Sequence, residues 1–356
     1  MLCPLSLTVE PMAAMLNFEI ADDPTYTGLE IQRFDDPMHG TGVAVLLMRR
    51  VDRRVDVYRQ PGVRLDRSVY GIGAGVGQWR EADLDPAVVE VTSTGVLAAI
   101  GLRDGDQRWI EVHVDDRDGR RRRPATLLAP VSAAVEQPES MLLVWMPEFD
   151  LVRTRGRGVA VTIDGRAVTT GRLPMAWLHG RQLVKYAADL VIVRLMPAQA
   201  GPLPAVDPDT ATHVDLAQVD GKSGIAAVTG RIPGHAARLV LDPAFPDLGH
   251  LADGAPVGGT WRLGIDQAAS VVAGTWQVQR AADRVDLVID STSRWRPGRL
   301  PLLMRVVTRV VPTFRAWPTT YRWSATVTLG RTPTMTSTWQ RKGSAAAESY
   351  RRMMRT

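Results

Sequence analysis

Apolar and polar residues alternate one by one through much of this chain, in short runs separated by turn residues. The clearest run places Tyr321, Trp323, Ala325, Val327 and Leu329 on one side and Thr320, Arg322, Ser324, Thr326 and Thr328 on the other. Successive side chains of a strand point to opposite faces, so this spacing predicts a strand with one buried and one wet face. Segments 55–58, 109–114, 159–163, 276–278 and 285–289 read the same way and are rich in β-branched or aromatic residues. Asp164-Gly165 sits between two such runs and predicts a two-residue hairpin turn, because both positions tolerate positive φ. Asp104-Gly105 and Asp118-Gly119 mark further turns. Nothing resembles the strand-helix alternation of a parallel sheet, so the pattern predicts an all-β, mostly antiparallel chain.

One segment breaks this rule. Leu302, Leu303, Val306, Val307, Val310 and Val311 gather on one side of a helix, with Arg305, Thr308 and Arg309 opposite, between Pro301 and Pro312. The spacing predicts an amphipathic helix over 301–311. Its apolar side either packs on the protein's own core or, with Arg299, Arg305 and Arg309 beside it, touches a membrane surface peripherally. Residues 197–212 carry four prolines and no periodicity, which predicts an extended linker. The expected organisation is an N-terminal β-barrel or sandwich domain over 1–196, the linker over 197–212, a C-terminal β-barrel domain over 213–342 and a basic tail over 343–356.

Composition narrows the function classes. Cys3 is the single cysteine, so neither an intramolecular disulfide nor a thiolate metal site can form, and the expected compartment is the cytoplasm. No apolar run approaches the ~20 residues of a membrane span. The net charge of +5 is spread along the chain beside 38 acidic residues, and no nucleic-acid partner is expected. The densest basic cluster, Arg120 to Arg123, follows three aspartates and reads as a solvated turn. The six histidines are scattered, no nucleophile elbow or P-loop is present, and neither a metal nor another cofactor is expected.

The candidate chemistry rests on aromatic and carboxylate positions. Glycines at 71, 73, 75 and 77 would bare one face of a strand, either at a corner or where a ligand comes close. Trp109, Glu111 and His113 share a strand face, which is either an acid/base pair or simply the solvent side. Ten of the 21 aromatic residues are tryptophan, and a buried indole carries an N–H that needs a partner. Trp79, Trp109, Trp145, Trp177, Trp261, Trp276 and Trp323 are therefore candidate lining for an apolar-ligand cavity, against the ordinary alternative of core packing. Glu148, Asp150 and His179 lie near tryptophans at the ends of apolar stretches and are the candidate catalytic polar groups.

Two β-rich halves, a Pro-rich joint, Tyr58-Arg-Gln-Pro-Gly62 leading into the glycine run up to Trp79, and the strand over 321–329 together resemble the double-lipocalin, calycin-like proteins of the AttH, carotenoid 1,2-hydratase and Diels–Alderase type. The resemblance implies two lipocalin-like barrels or sandwiches in tandem. It also implies an isoprenoid, polyketide or lipid ligand, either simply bound or transformed by enclosure and a few placed polar groups without a cofactor, as in a lyase, hydratase or cyclase. The competing reading is a non-catalytic β-sandwich interaction or carbohydrate-binding module with exposed tryptophans.

Overall fold

The computed structural model describes residues 1–70, 72–131, 135–154, 158–171, 181–203, 212–219, 222–297, 300–310, 314 and 317–342. Almost all regular structure in them is strand, mostly antiparallel, with one short helix. Packing divides the chain into two units. The first comprises Pro11–Ala129 and Val144–Val191, and the second Met1–Glu10, Pro130–Leu143 and Ile192–Thr356.

Thirteen strands come before residue 196: β1 (Leu7–Glu19), β2 (Tyr26–Asp36), β3 (Gly40–Arg49), β4 (Val55–Arg59), β5 (Val76–Glu81), β6 (Ala87–Thr92), β7 (Gly95–Arg103), β8 (Trp109–Asp115), β9 (Ala125–Ala129), β10 (Met141–Leu151), β11 (Val159–Ile163), β12 (Arg166–Ala167) and β13 (Val184–Leu195). They form an eight-stranded sheet in the order β5-β4-β3-β2-β1-β13-β10-β9 and a five-stranded sheet in the order β12-β11-β8-β7-β6. One core draws on both sheets, with Leu16, Phe18, Ile31, Val45 and Tyr186 from the larger and Val96, Ile100, Val112 and Val161 from the smaller. Alternation makes this possible, since β6, β7, β8 and β11 of the smaller sheet give every second residue to the core. The β11–β12 turn has positive φ at both Asp164 and Gly165, as the sequence predicts.

The remaining strands are β14 (Ala200–Pro202), β15 (Thr212–Val219), β16 (Lys222–Ile232), β17 (His235–Pro246), β18 (Val257–Ile265), β19 (Ala268–Ala281), β20 (Arg284–Ser293), β21 (Tyr321–Thr328) and β22 (Thr334–Arg341), with the helix α1 (Leu302–Val310) between β20 and β21. They make one nine-stranded sheet in the order β14-β22-β21-β20-β19-β18-β17-β16-β15, an antiparallel meander with β14 added beyond the last strand. In β21 the side chains of Tyr321, Trp323, Ala325 and Val327 are buried, which is the face the alternation predicts.

Several local expectations change in the structure. Within 197–212, residues 200–202 pair with β22, while 204–211 and the tail over 343–356 lie outside the described residues. Only Gly77 of the glycine run stands in a strand, and there a Cβ would collide with the Asp56 carboxylate. Gly73 and Gly75 form the preceding turn at φ +61° and +102°, so the glycines do not bare one strand face; Gly71 is outside the described residues. Helix α1 forms where expected, but Leu302 and Val306 are 73% and 41% exposed while Met304 is buried, because the helix turns its Met304 side inward. No helix among the described residues is long and apolar enough to cross a membrane.

Candidate functional site

Register across the nine-stranded sheet decides which side chains share its buried face. Trp276 on β19 stands opposite Ile289 on β20, Ile289 opposite Trp323 on β21, and Trp323 opposite Trp339 on β22. Two residues along, Trp261 on β18 stands opposite Gly274, and Gly274 opposite Ser291. Side chains two apart on a strand point the same way, so these residues form one continuous surface. None of the four indoles is more than 2% exposed, and Ser291 is fully buried.

Two glycines let the rings lie flat. A Cβ on Gly259 would come within 2.8 Å of Trp276 Nε1, and one on Gly274 within 2.8 Å of Trp261 Nε1. Each indole thus crosses the bare backbone of a neighbouring strand. Phe245 extends the wall, tilted against Trp276 with ring centroids 5.2 Å apart.

The polar atoms of this surface fall into two sets. Trp261 Nε1 donates to the Asp290 carbonyl at 3.2 Å, and Trp339 Nε1 to the Met196 carbonyl at 2.8 Å. Trp276 Nε1, Trp323 Nε1 and the Ser291 hydroxyl are buried without a hydrogen-bond partner among the described residues. Leaving a buried donor unbonded costs roughly 1–3 kcal/mol, and most native buried polar atoms avoid it. No family model, curated protein or solved structure matches this chain.

The other described sequence candidates belong to the first unit. Trp79, Trp109 and Trp145 belong to the first unit, while Trp177 and His179 are outside the described residues. Trp79 is half-buried and meets Tyr70 edge-on at 5.5 Å, and Trp145 is buried on β10. Glu111 and His113 are exposed beside half-buried Trp109, and Glu111 accepts from Thr162 at 3.3 Å across the strand pair. That is the solvent-side arrangement.

Glu148 lies within, and Asp150 just after, a register irregularity of β10 against β9 between Met146 and Phe149. Glu148 is exposed and receives Arg122 Nη1 on its carboxylate at 3.2 Å and Nη2 on its carbonyl at 2.6 Å. Arg122 is itself buried, over the Tyr186 ring at 5.0 Å, so the basic run over 120–123 is not solvated throughout. Its aliphatic stem and planar head cover an aromatic face while two of its donors are bonded. Asp150 is 9% exposed and accepts from the Leu151 N–H at 2.8 Å. Burial pushes the Tyr186 hydroxyl pKa up, with the Asp150 charge adding to it, and that hydroxyl has no hydrogen-bond partner among the described residues. Nearby, burial also raises the Asp116 carboxyl, against the N–H groups of Arg153 and Thr154 that bond it at 3.0 Å each. Among the described residues no group of three His, Cys, Asp or Glu could hold a metal ion.

Sequence reasoning missed Trp339 and Ser291. Trp339 was within reach, because Met335, Ser337 and Trp339 alternate on β22 just as the β21 run does. Ser291 had no local signal. A serine at a strand end is ordinary, and only the pairing of β19 with β20 brings it beside the indoles.

Proposed function

We propose that this chain is a lipocalin-like binder of an apolar small molecule that carries acceptor oxygens, seated against the tryptophan surface of the nine-stranded sheet. The observation supporting this is the set of three buried donors without a hydrogen-bond partner among the described residues, Trp276 Nε1, Trp323 Nε1 and Ser291 Oγ, on one mostly apolar, tryptophan-rich face. An indole N–H only donates, so its complement is a carbonyl or ether oxygen. β19 and β21 are separated by one strand, which sets the backbones bearing the two indoles about 10 Å apart. A flat, ring-bearing molecule with more than one oxygen suits that spacing better than a bare hydrocarbon, which favours a polyketide-like ligand over an unfunctionalised isoprenoid. Binding here needs no acid or base, and the reading is of a binder.

Equilibrium dialysis of the full chain against anthraquinone and against anthracene tests it, because the two share a ring skeleton and differ in two carbonyls. Anthraquinone is expected to bind saturably and more tightly than anthracene. Trp276→Phe and Trp323→Phe keep an aromatic wall and remove one donor each, and each is expected to weaken the quinone about tenfold, equivalent to ~1.4 kcal/mol. Absence of saturable binding by either compound overturns the proposal.

A further inference from the structure

The first unit carries a surface cleft of about 400 Å³ at the end of its five-stranded sheet, bounded by the segment after β5 and the β7–β8 turn. That volume lies at the lower end of the ~300–1,000 Å³ usual for ligand pockets. Its aromatic wall is Trp109, a half-buried ring held by its own backbone: the Trp109 N–H donates to Asp164 Oδ1 at 2.7 Å, and its carbonyl accepts from the Asp164 N–H at 2.8 Å. The six-membered edge of the indole occupies the space left by Gly101, where a Cβ would fall 2.8 Å from Cζ2. Arg103 stands over the ring with its guanidinium carbon 5.5 Å from the centroid, and it is fixed there by donating to the Gln107 carbonyl at 2.9 Å. The plate is therefore pre-positioned, and ordering it on binding costs little.

The charges around the plate balance. Of the cleft's four carboxylates, Glu81 is taken by Arg59 at 2.8 Å and Asp104 by Arg108 at 2.7 Å. Asp83 and Asp85 are exposed and, like Arg80, make no side-chain hydrogen bond or ion pair among the described residues. Two open carboxylates thus share the lining of the cleft with two guanidinium groups, Arg80 and Arg103. A cation site would need the acids in excess, and an anion site the arginines. Acceptors and donors in equal supply beside an aromatic face suit a neutral molecule whose every polar group both gives and takes a hydrogen bond. A polyol does this with each hydroxyl, and the C–H face of a pyranose ring carries the partial positive charge that the negative face of an indole attracts. A plain apolar ligand would leave the charged rim desolvated and unpaired.

We infer that this cleft is a carbohydrate-binding site, in which a pyranose ring packs against the exposed part of Trp109 beside Arg103 while Asp83, Asp85 and Arg80 bond its hydroxyls. It is independent of the ligand proposed for the nine-stranded sheet. The test is saturation-transfer NMR and calorimetry on the full chain with a panel of methyl pyranosides and their disaccharides, beside spermidine as a cationic and citrate as an anionic comparator. At least one sugar should bind saturably in the millimolar range, with saturation strongest at its C–H face. Trp109→Ala should weaken it about tenfold, an effect of ~1.4 kcal/mol. Since that change opens space over Gly101, Asp83→Ala and Asp85→Ala provide variants at exposed positions that leave the fold intact, and each should weaken sugar binding severalfold. Failure of every sugar to saturate, binding that survives all three changes, or a clear preference for spermidine or citrate overturns the inference.

Discussion

Trp261 reaches the Asp290 carbonyl, 3.2 Å away, by crossing residue 274, which stands between them on the intervening strand and has no side chain. A methyl group at that position would meet both the Asp290 carbonyl and the indole nitrogen. Gly274→Ala is accordingly expected to destabilise the second unit by about 1–3 kcal/mol, the usual range for overpacking a tight site. A lower urea midpoint at unchanged slope would verify it, and an unchanged midpoint would mean that the sheet yields at no cost.

The indoles should differ in what their N–H groups contribute. Trp261→Phe removes a made hydrogen bond, while Trp276→Phe removes a buried donor that has none. With similar loss of ring area at each site, Trp261→Phe should be the more destabilising by roughly 1–2 kcal/mol in the ligand-free protein. Equal unfolding midpoints for the two variants would contradict the partner assignments.

A similar contrast applies in the first unit. Tyr58 accepts from the Gly105 N–H at 2.8 Å and donates to Gln78 Oε1 at 3.3 Å, whereas the Tyr186 hydroxyl is buried with no partner. Tyr58→Phe should cost about 1–2 kcal/mol, and Tyr186→Phe should be neutral or stabilising. Thermal melts of the two variants distinguish the cases. A marked loss in Tyr186→Phe would indicate that water or a ligand bonds this hydroxyl in solution.

Asp290 makes stability depend on acid. Burial alone would raise its carboxyl pKa, but hydrogen bonds from Arg322, at 3.0 and 2.7 Å, and the nearby Lys342 ammonium outweigh that and hold it below the ordinary range. A depressed folded pKa adds stability above the unfolded value of about 3.9, and this is lost as pH falls through the lower folded value. Asp290→Asn should therefore lower stability at neutral pH and narrow its gap to wild type as pH falls below about 4. Urea unfolding across that range would show it, and a gap that stays constant would remove Asp290 as the cause.

How much of this was legible in the sequence depended on whether the information was local. The β21 alternation needs only neighbouring residues, and the Asp164-Gly165 turn only two, so both were readable. Trp261, Trp276 and Trp323 were readable as residues but not as a group with Trp339, since the four share a face only through the register of five strands. Arg122 looked solvated because its charged neighbours dominate the local text, while Tyr186 and Glu148, which bury and bind it, are far away in the chain. Helix α1 was found by its period, yet which side faces inward is set by what it packs on. The period cannot supply that, and Leu302 and Val306 emerged on the outside.

The three residues of β14 bear on the order in which the chain is made. Synthesis delivers the N-terminal parts first, so Ala200–Pro202 emerges well ahead of Thr334–Arg341, the strand it pairs with. Strands β16 to β22 each pair with the strand that precedes them in the chain, but β14 must wait for the last of them. A waiting strand is an invitation to foreign chains, and a short one ending in proline is a poor template for them. The same brevity that makes β14 a minor part of the finished sheet protects the nascent protein until its C-terminal strand arrives.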